Sequence, residues 1–303
     1  MTERKRVRGG HRGRIVALSL NTFTQLVRMK VFYFLMVFAL IMLGSNFFDL
    51  PQHSLPETFG FGVLRAIMSW SLGAMTLFSM VMAIVATALL LPRDVEDRTL
   101  YTILAKPVPR IDYLAGKLFG VLLLLAVSLM VMDLLMLAVL QVRVSLFEGQ
   151  LDAMAAAGGA ADEIAQMRAS LRANAPGWSL QGAVAAVFLR AAVMTALTLF
   201  ISTFSTSTLF TSIVSFLVYF LGYFQADLRS VFLHGSGVGM LERGGALAVS
   251  LLLPDFQLFN VIDAVIEGGT MPLAVLGRLA VMCGFHVAIY LTASWYVFAD
   301  KEV

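Results

Sequence analysis

The sequence predicts an all-α integral membrane protein, a six-span helical bundle, and three observations predict it. Of its 303 residues, 59% are hydrophobic and only 14% charged, where a soluble globular domain carries about 25% charged residues. The apolar residues gather into six runs, most of them near the ~20 residues that a helix needs to cross about 30 Å of hydrocarbon. Lys and Arg favour one side of the resulting topology, the bias that orients a chain in a bilayer. The single cysteine, Cys283, lies inside an apolar run, so neither a disulfide framework nor a cysteine metal site is available. A net charge of +3, unevenly spread, speaks for orientation and not for nucleic-acid binding.

The basic start, MTERKRVRGGHRGR, reads as a cytoplasmic tail. The apolar run after it is longer than a signal-peptide core and lacks an Ala-x-Ala cleavage site, so it reads as a retained span. Ile15 to Lys30 places Ile15, Leu18, Phe23, Leu26 and Val27 near one face at helical spacing, which predicts an interfacial amphipathic helix over 15–30. Its alternative is an inward extension of the first span. The six expected spans are Val31–Leu50, Ala66–Leu91, Tyr113–Gln141, Leu180–Ser202, Leu209–Phe224 and Pro272–Phe298.

The connections are uneven. Pro51 to Phe61 is a short external loop, and 142–177 is a longer external insert with a weak helical pattern from Asp162 to Leu171, either one soluble helix or a flexible segment. STFSTST, Ser202 to Thr208, reads as a tight polar turn whose hydroxyls satisfy local backbone groups. Within the external or re-entrant region 225–271, the apolar run Gly245 to Val261 is broken at Pro254-Asp255, which favours short re-entrant or interfacial helices over a seventh span. Arg4, Lys5, Arg6, Arg8, the connector cations and Lys301 then lie inside, against Arg65, Arg143, Arg168, Arg172, Arg229 and Arg243 outside. This bias puts both termini in the cytoplasm.

The dense mixed-charge passage, LPRDVEDRTLYTILAKPVPRIDYLAGK from Leu91 to Lys117, occurs once. Its cytoplasmic core, 92–112, is bracketed by Pro92 and by Pro107 and Pro109. RDVEDRTL suits a short helix and AKPVPR cannot continue one, because proline lacks the N–H and clashes with the preceding turn. The expectation is a rigid elbow.

With these residues in view, the whole chain resembles the permease subunits of ATP-binding-cassette transporters of the second export type, most nearly the branch that includes copper-enzyme-maturation permeases. The resemblance is carried by Arg98-Thr99-Leu100 after an acidic residue, by ILAKPVPR, by Gly116-Lys117 opening the next span, and by STFSTST. LPDFQLFNVID and the closing Trp295 to Phe298 followed by Asp300-Lys301-Glu302 complete it. It implies a single transmembrane permease domain, 1–303, in the cytoplasmic (inner) membrane. The bundle dimerises with a second copy or homologue, and its connector is a coupling helix seated on a separate cytoplasmic ABC ATPase, present in two copies. Carried over by position, Asp94, Glu96, Asp97, Arg98, Thr99 and Leu100 form the docking element, and Lys106, Pro107 and Arg110 fix its exit. The implied function is to couple ATP hydrolysis in the partner to export or extrusion of a substrate, with no catalysis in this chain. ATP and Mg belong to the partner, and the chain itself binds no cofactor.

The residues agree with that division of labour. No Gly-x-x-x-x-Gly-Lys-Ser/Thr loop exists; Gly116-Lys117 is followed by leucine and enters a span. The histidines His11, His53, His234 and His286 are scattered, without the His-Glu-x-x-His pair of a metalloprotease. HGSGVG at 234–239 reads as a flexible glycine loop, with no strand before it to make a dinucleotide site.

Charges within spans are costly and mark function or structure. Counted from the outer ends of their spans, Asp133 and Arg190 fall at similar depth, about 12–15 Å in at ~1.5 Å per residue. An intramembrane ion pair is therefore expected, either a structural clamp or part of a translocation path. Arg278 is expected to snorkel to the boundary, and His286 to be hydrogen-bonded in the interior. Two other functions compete: an ion- or proton-coupled secondary transporter, which should show inverted repeats, and a membrane assembly factor for an extracytoplasmic enzyme, for which the external insert and the LPDFQLF region could serve. No internal repeat is visible.

Overall fold

The fold was derived from a computed structural model, which describes residues 11–44, 61–96, 109–205, 207–225, 239 and 253–299. Every regular element among them is helical: α1 (His11–Val27), α2 (Lys30–Gly44), α3 (Phe61–Glu96), α4 (Arg110–Ala156), α5 (Ala161–Ala173), α6 (Trp178–Phe204), α7 (Thr208–Tyr223), a 3-10 turn at Gln257–Phe259, α8 (Ile262–Ile266) and α9 (Leu273–Ala299). Four helical stretches are long and apolar enough to cross a membrane, namely Gly62–Pro92, Arg110–Ala156, Ala161–Phe204 and Leu273–Phe298. The apolar helix α7 has 16 residues, about 24 Å, short of the hydrocarbon thickness of about 30 Å.

Helix α6 is the hub, packing on α3, α4, α7 and α9. Its buried face carries Gly182, Ala183, Ala186, Ala191, Ala192 and Ala196. Such small residues let helix backbones approach in a bilayer, where packing rather than water exclusion drives association. By contrast α7 turns Leu209, Phe210, Ile213, Leu217 and Phe220 outward and buries Thr211, Ser215 and Gly222.

Several expectations meet a different or fuller arrangement. Helix α3 does not stop at Pro92 but carries it inside and runs on to Glu96. The elbow therefore does not begin at that proline, even though proline removes an i to i−4 bond from the helix it sits in. Helix α4 has 47 residues, about 70 Å, and does not end near Gln141. Its last turns and α5 make the 142–177 insert a helical hairpin, reversed through Gly158 at φ 85 and closed by Leu151, Ile164, Met167 and Leu171. The left-handed backbone at Gly158 is one that residues with a Cβ avoid.

STFSTST forms the α6–α7 turn as its hydroxyls suggest: Ser205 Oγ accepts from Ser207 N at 3.0 Å, and Ser207 Oγ caps α7 by accepting from Phe210 N at 3.5 Å. In the LPDFQLF stretch, Asp255 accepts from Gln257 N at 3.0 Å and so starts the 3-10 turn after Pro254.

Two groups of helix ends come together. At the far end Arg65 of α3 meets Glu267 at 3.4 Å, and the Ser179 hydroxyl at the start of α6 accepts from Met271 N at 3.0 Å. At the connector end the start of α4 meets both the start of α1 and the C-terminus of α9.

Candidate functional site: the connector exit and a buried arginine

The connector re-enters the bundle at Pro109, which caps α4 with φ −56 and ψ 136. Asp112 follows in the first turn, where the positive end of the peptide dipoles favours a carboxylate. Only 3% of its side chain is exposed. His11 donates through Nδ1 to both carboxylate oxygens, at 3.1 and 3.0 Å, and Arg14 Nε lies 3.6 Å from Oδ2. The first turn of α4 is thereby tied to the first turn of α1.

On the opposite flank Arg110 donates from Nη1 to the Phe298 carbonyl at 2.7 Å. That carbonyl lies in the last turn of α9, a position that suits a cation and has no partner within its own helix. The Arg110 guanidinium lies 5.9 Å from the Phe298 ring centre; Tyr113 stacks on the same ring at 6.1 Å; Lys117 Nζ lies 5.6 Å from the Tyr113 ring. The result is a pair of stacked rings with a cation at each end, in a largely desolvated setting that strengthens cation–π attraction.

Glycines seal the same junction. A Cβ on Gly116 would sit 2.5 Å from Leu18 Cβ, and one on Gly120 would sit 2.5 Å from Thr22 Cβ and 2.9 Å from the Ser19 carbonyl. The spacing Gly116-x-x-x-Gly120 is the small-residue pattern of close helix pairs, and it was readable in the sequence. Helix α1 therefore seats on α4 through Leu18, Ser19, Thr22 and Leu26. Ser19 and Thr22 were absent from the expected apolar face because close approach selects small side chains, and Val16 and Leu20, which are greasier, stay exposed.

Of the expected docking residues, Asp94 and Glu96 lie in the last turn of α3. Asp97, Arg98, Thr99, Leu100, Lys106 and Pro107 lie outside the described residues. Arg110, expected to brace the exit, has the contacts given above. His11, Asp112 and Phe298 complete the exit and were not singled out from sequence; Asp112 could have been found as an acid in a first helical turn after proline.

The expected Asp133–Arg190 ion pair does not form. Asp133 accepts from Gln181 Nε2 at 3.1 Å, whereas Arg190 donates from Nη1 to the Tyr223 hydroxyl at 2.9 Å. The reason is geometric. Because α4 runs on past Gln141, distance from the end of the apolar run does not measure depth, and Asp133 stands level with the first turn of α6. Arg190 lies about 13 Å further along α6 and, at about 100° per residue, on its opposite face.

Arg190 is 1% exposed, and its Nε and Nη2 have no hydrogen-bond partner among the described residues. Buried donors left bare cost about 1–3 kcal/mol each. Tyr219 and Tyr223, one turn apart on α7, pack edge to face at 5.3 Å beside it. Phe256 sits 5.3 Å from the Tyr219 ring and is held by its own N–H to the Gly222 carbonyl at 3.3 Å. Gly222 admits this close approach because any Cβ there would meet Phe256 Cδ2 at 2.6 Å and the Pro254 carbonyl at 2.8 Å.

His286 is buried and donates through Nδ1 to Met282 O at 2.9 Å, the interior role expected of it. Among the described residues no group of three or more His, Cys, Asp or Glu is gathered as a metal site.

Among curated proteins no significant relative is found. The profile of the ABC-2 family transporter proteins, by contrast, matches residues 15–302. That match takes in most of α1, Arg110, Asp112 and Arg190, and with the apolar helical bundle it establishes that the chain belongs to the ABC-2 family transporter proteins, the permease components of ABC transporters.

Proposed function

We propose that this permease is driven at its connector by a separate ABC ATPase, and that two copies, or one copy and a homologue, work with two ATPases to export or extrude a substrate across the cytoplasmic membrane. The observation that carries this reading is the double clasp on the first turn of α4, where Asp112 is held by His11 and Arg14 and Arg110 by Phe298. A push on the connector reaches α1, α4 and α9 together, since the His11–Asp112 and Arg110–Phe298 bonds, at 3.1 Å or less, and a close-packed helix pair leave little slack. Absence of a phosphate loop in the sequence supports a partner that supplies the hydrolysis. The charge bias supports six spans with both termini inside the cell.

Coexpression with a candidate ABC ATPase and purification in detergent tests the reading. The ATPase should copurify with the parent chain and be lost, with the permease still folded, when Glu96→Lys and Leu100→Asp are combined. Retention of the ATPase by that variant would remove the connector from the interface.

A further inference from the structure

The interior of the bundle holds a cation, Arg190, that has no counter-ion among the described residues. Arg190 lies about 18 Å along α6 from Trp178 at ~1.5 Å per residue, near the middle of a 27-residue helix. One nitrogen is used, by Tyr223; Nε and Nη2 are bare. Among the described residues no carboxylate reaches it. Of the acids in the bundle, Asp133 bonds Gln181 and Asp255 bonds Gln257 N.

A guanidinium has five donors in a planar fork and cannot lose its charge in a protein. Neutralisation by deprotonation, open to a buried lysine, is closed here. The carbonyls at the C-terminal end of α7, beside Tyr223, give partial compensation through the helix dipole, but they leave the free edge of the fork unbonded. That edge, Nε with Nη2, is the pair of donors that binds two oxygens of a phosphate or carboxylate side by side.

We propose that Arg190, flanked by Tyr219 and Tyr223, binds the anionic head group, phosphate or carboxylate, of an amphiphile that enters from the bilayer. The Tyr223 hydroxyl, whose oxygen accepts from Arg190, keeps its own proton to donate to the same head group. Phe256 packs on Tyr219 and its N–H bonds the Gly222 carbonyl of α7, and displacement of the turn at Phe256 opens the site. The outward apolar stripe of α7, Leu209, Ile213, Leu217 and Phe220, gives the acyl chains a surface continuous with the same helix.

The inference stands apart from ATPase docking, because binding is measured on the permease alone. The parent chain, Arg190→Gln, Tyr223→Phe and the control Arg278→Gln, an exposed arginine on α9, are placed in nanodiscs of phosphatidylcholine with or without phosphatidylglycerol. Thermal midpoints are recorded, and retained lipid is counted by native mass spectrometry. Phosphatidylglycerol should raise the midpoint of the parent and of Arg278→Gln. Its retention should fall about tenfold in Arg190→Gln and to a lesser extent in Tyr223→Phe. A midpoint raised by inorganic phosphate in plain phosphatidylcholine discs, and not by phosphatidylglycerol, would assign the site to a soluble anion and overturn the lipid source. Equal lipid retention by Arg190→Gln and the parent, or loss in Arg278→Gln alone, would overturn the site. Should Arg190→Gln fail to fold, Tyr223→Phe decides by the same readout, unchanged retention overturning the proposal.

Discussion

Arg110 opens α4 and Arg190 lies midway along α6, and each enters an apolar helix; Arg110 bonds a helix-terminal carbonyl and covers a phenyl ring, whereas Arg190 keeps Nε and Nη2 bare. At the connector exit Asp112 and Arg110 each have partners from another helix, and glycines bring α1 into contact with α4. Around Arg190 one hydroxyl stands in for a counter-ion. The difference teaches where movement is passed on and where it is received. A region with its bonds filled moves as one body, while a region with unfilled bonding capacity changes free energy when something fills it.

That contrast breaks most severely at Gly120. Gly120→Val places methyl groups where Thr22 and the Ser19 carbonyl already stand, and overpacking of this kind costs about 3 kcal/mol. The thermal midpoint should fall, and Ser19→Cys, shielded from maleimide in the parent, should become reactive in the Gly120→Val background.

An intermediate effect is expected at Asp112. Asp112→Ala removes hydrogen bonds to a charged group, worth about 1.5–3 kcal/mol, and leaves His11 and Arg14 facing an empty site. ATPase activity stimulated by substrate should drop while the assembled complex persists, and Asp112→Asn, which keeps an acceptor oxygen, should recover part of it. Equal activity of all three proteins would show that the clasp carries no coupling.

The smallest effect belongs to the hairpin. The Arg168–Asp152 pair is 39% and 69% exposed, and exposed pairs are worth about 0–1 kcal/mol. Arg168→Ala should shift the midpoint by a degree or two at low salt and by nothing measurable at high salt.

Much of the architecture was legible because apolar length and hydroxyl clusters are local signals. The helix that contains Ala66–Leu91, the helix that takes up all of Pro272–Phe298 but its proline, the STFSTST turn and the break at Pro254 all follow from neighbours in sequence. The Asp133–Arg190 pairing failed because it needed a helix end, and α4 continues as a helix into a polar hairpin without any change of secondary structure. Tyr223 escaped notice as one aromatic among many in α7. The face of α1 with Leu18 and Leu26 was legible from spacing and is the one that meets α4, but Ser19 and Thr22, which join it, were not, because in a bilayer the tightest contact also selects small side chains.

The bond from Arg110 to Phe298 spans 188 positions of the chain. At a synthesis rate of about 5–20 residues per second, the acceptor is made roughly 10–40 s after the donor. His11 and Arg14, in contrast, already exist when Asp112 leaves the ribosome. The clasp therefore closes in two stages, the α1 side during translation and the α9 side only when the last helix has inserted. Until then the connector is attached to a part of the bundle that cannot yet transmit force, so a half-made chain that captured an ATPase would hold an uncoupled motor.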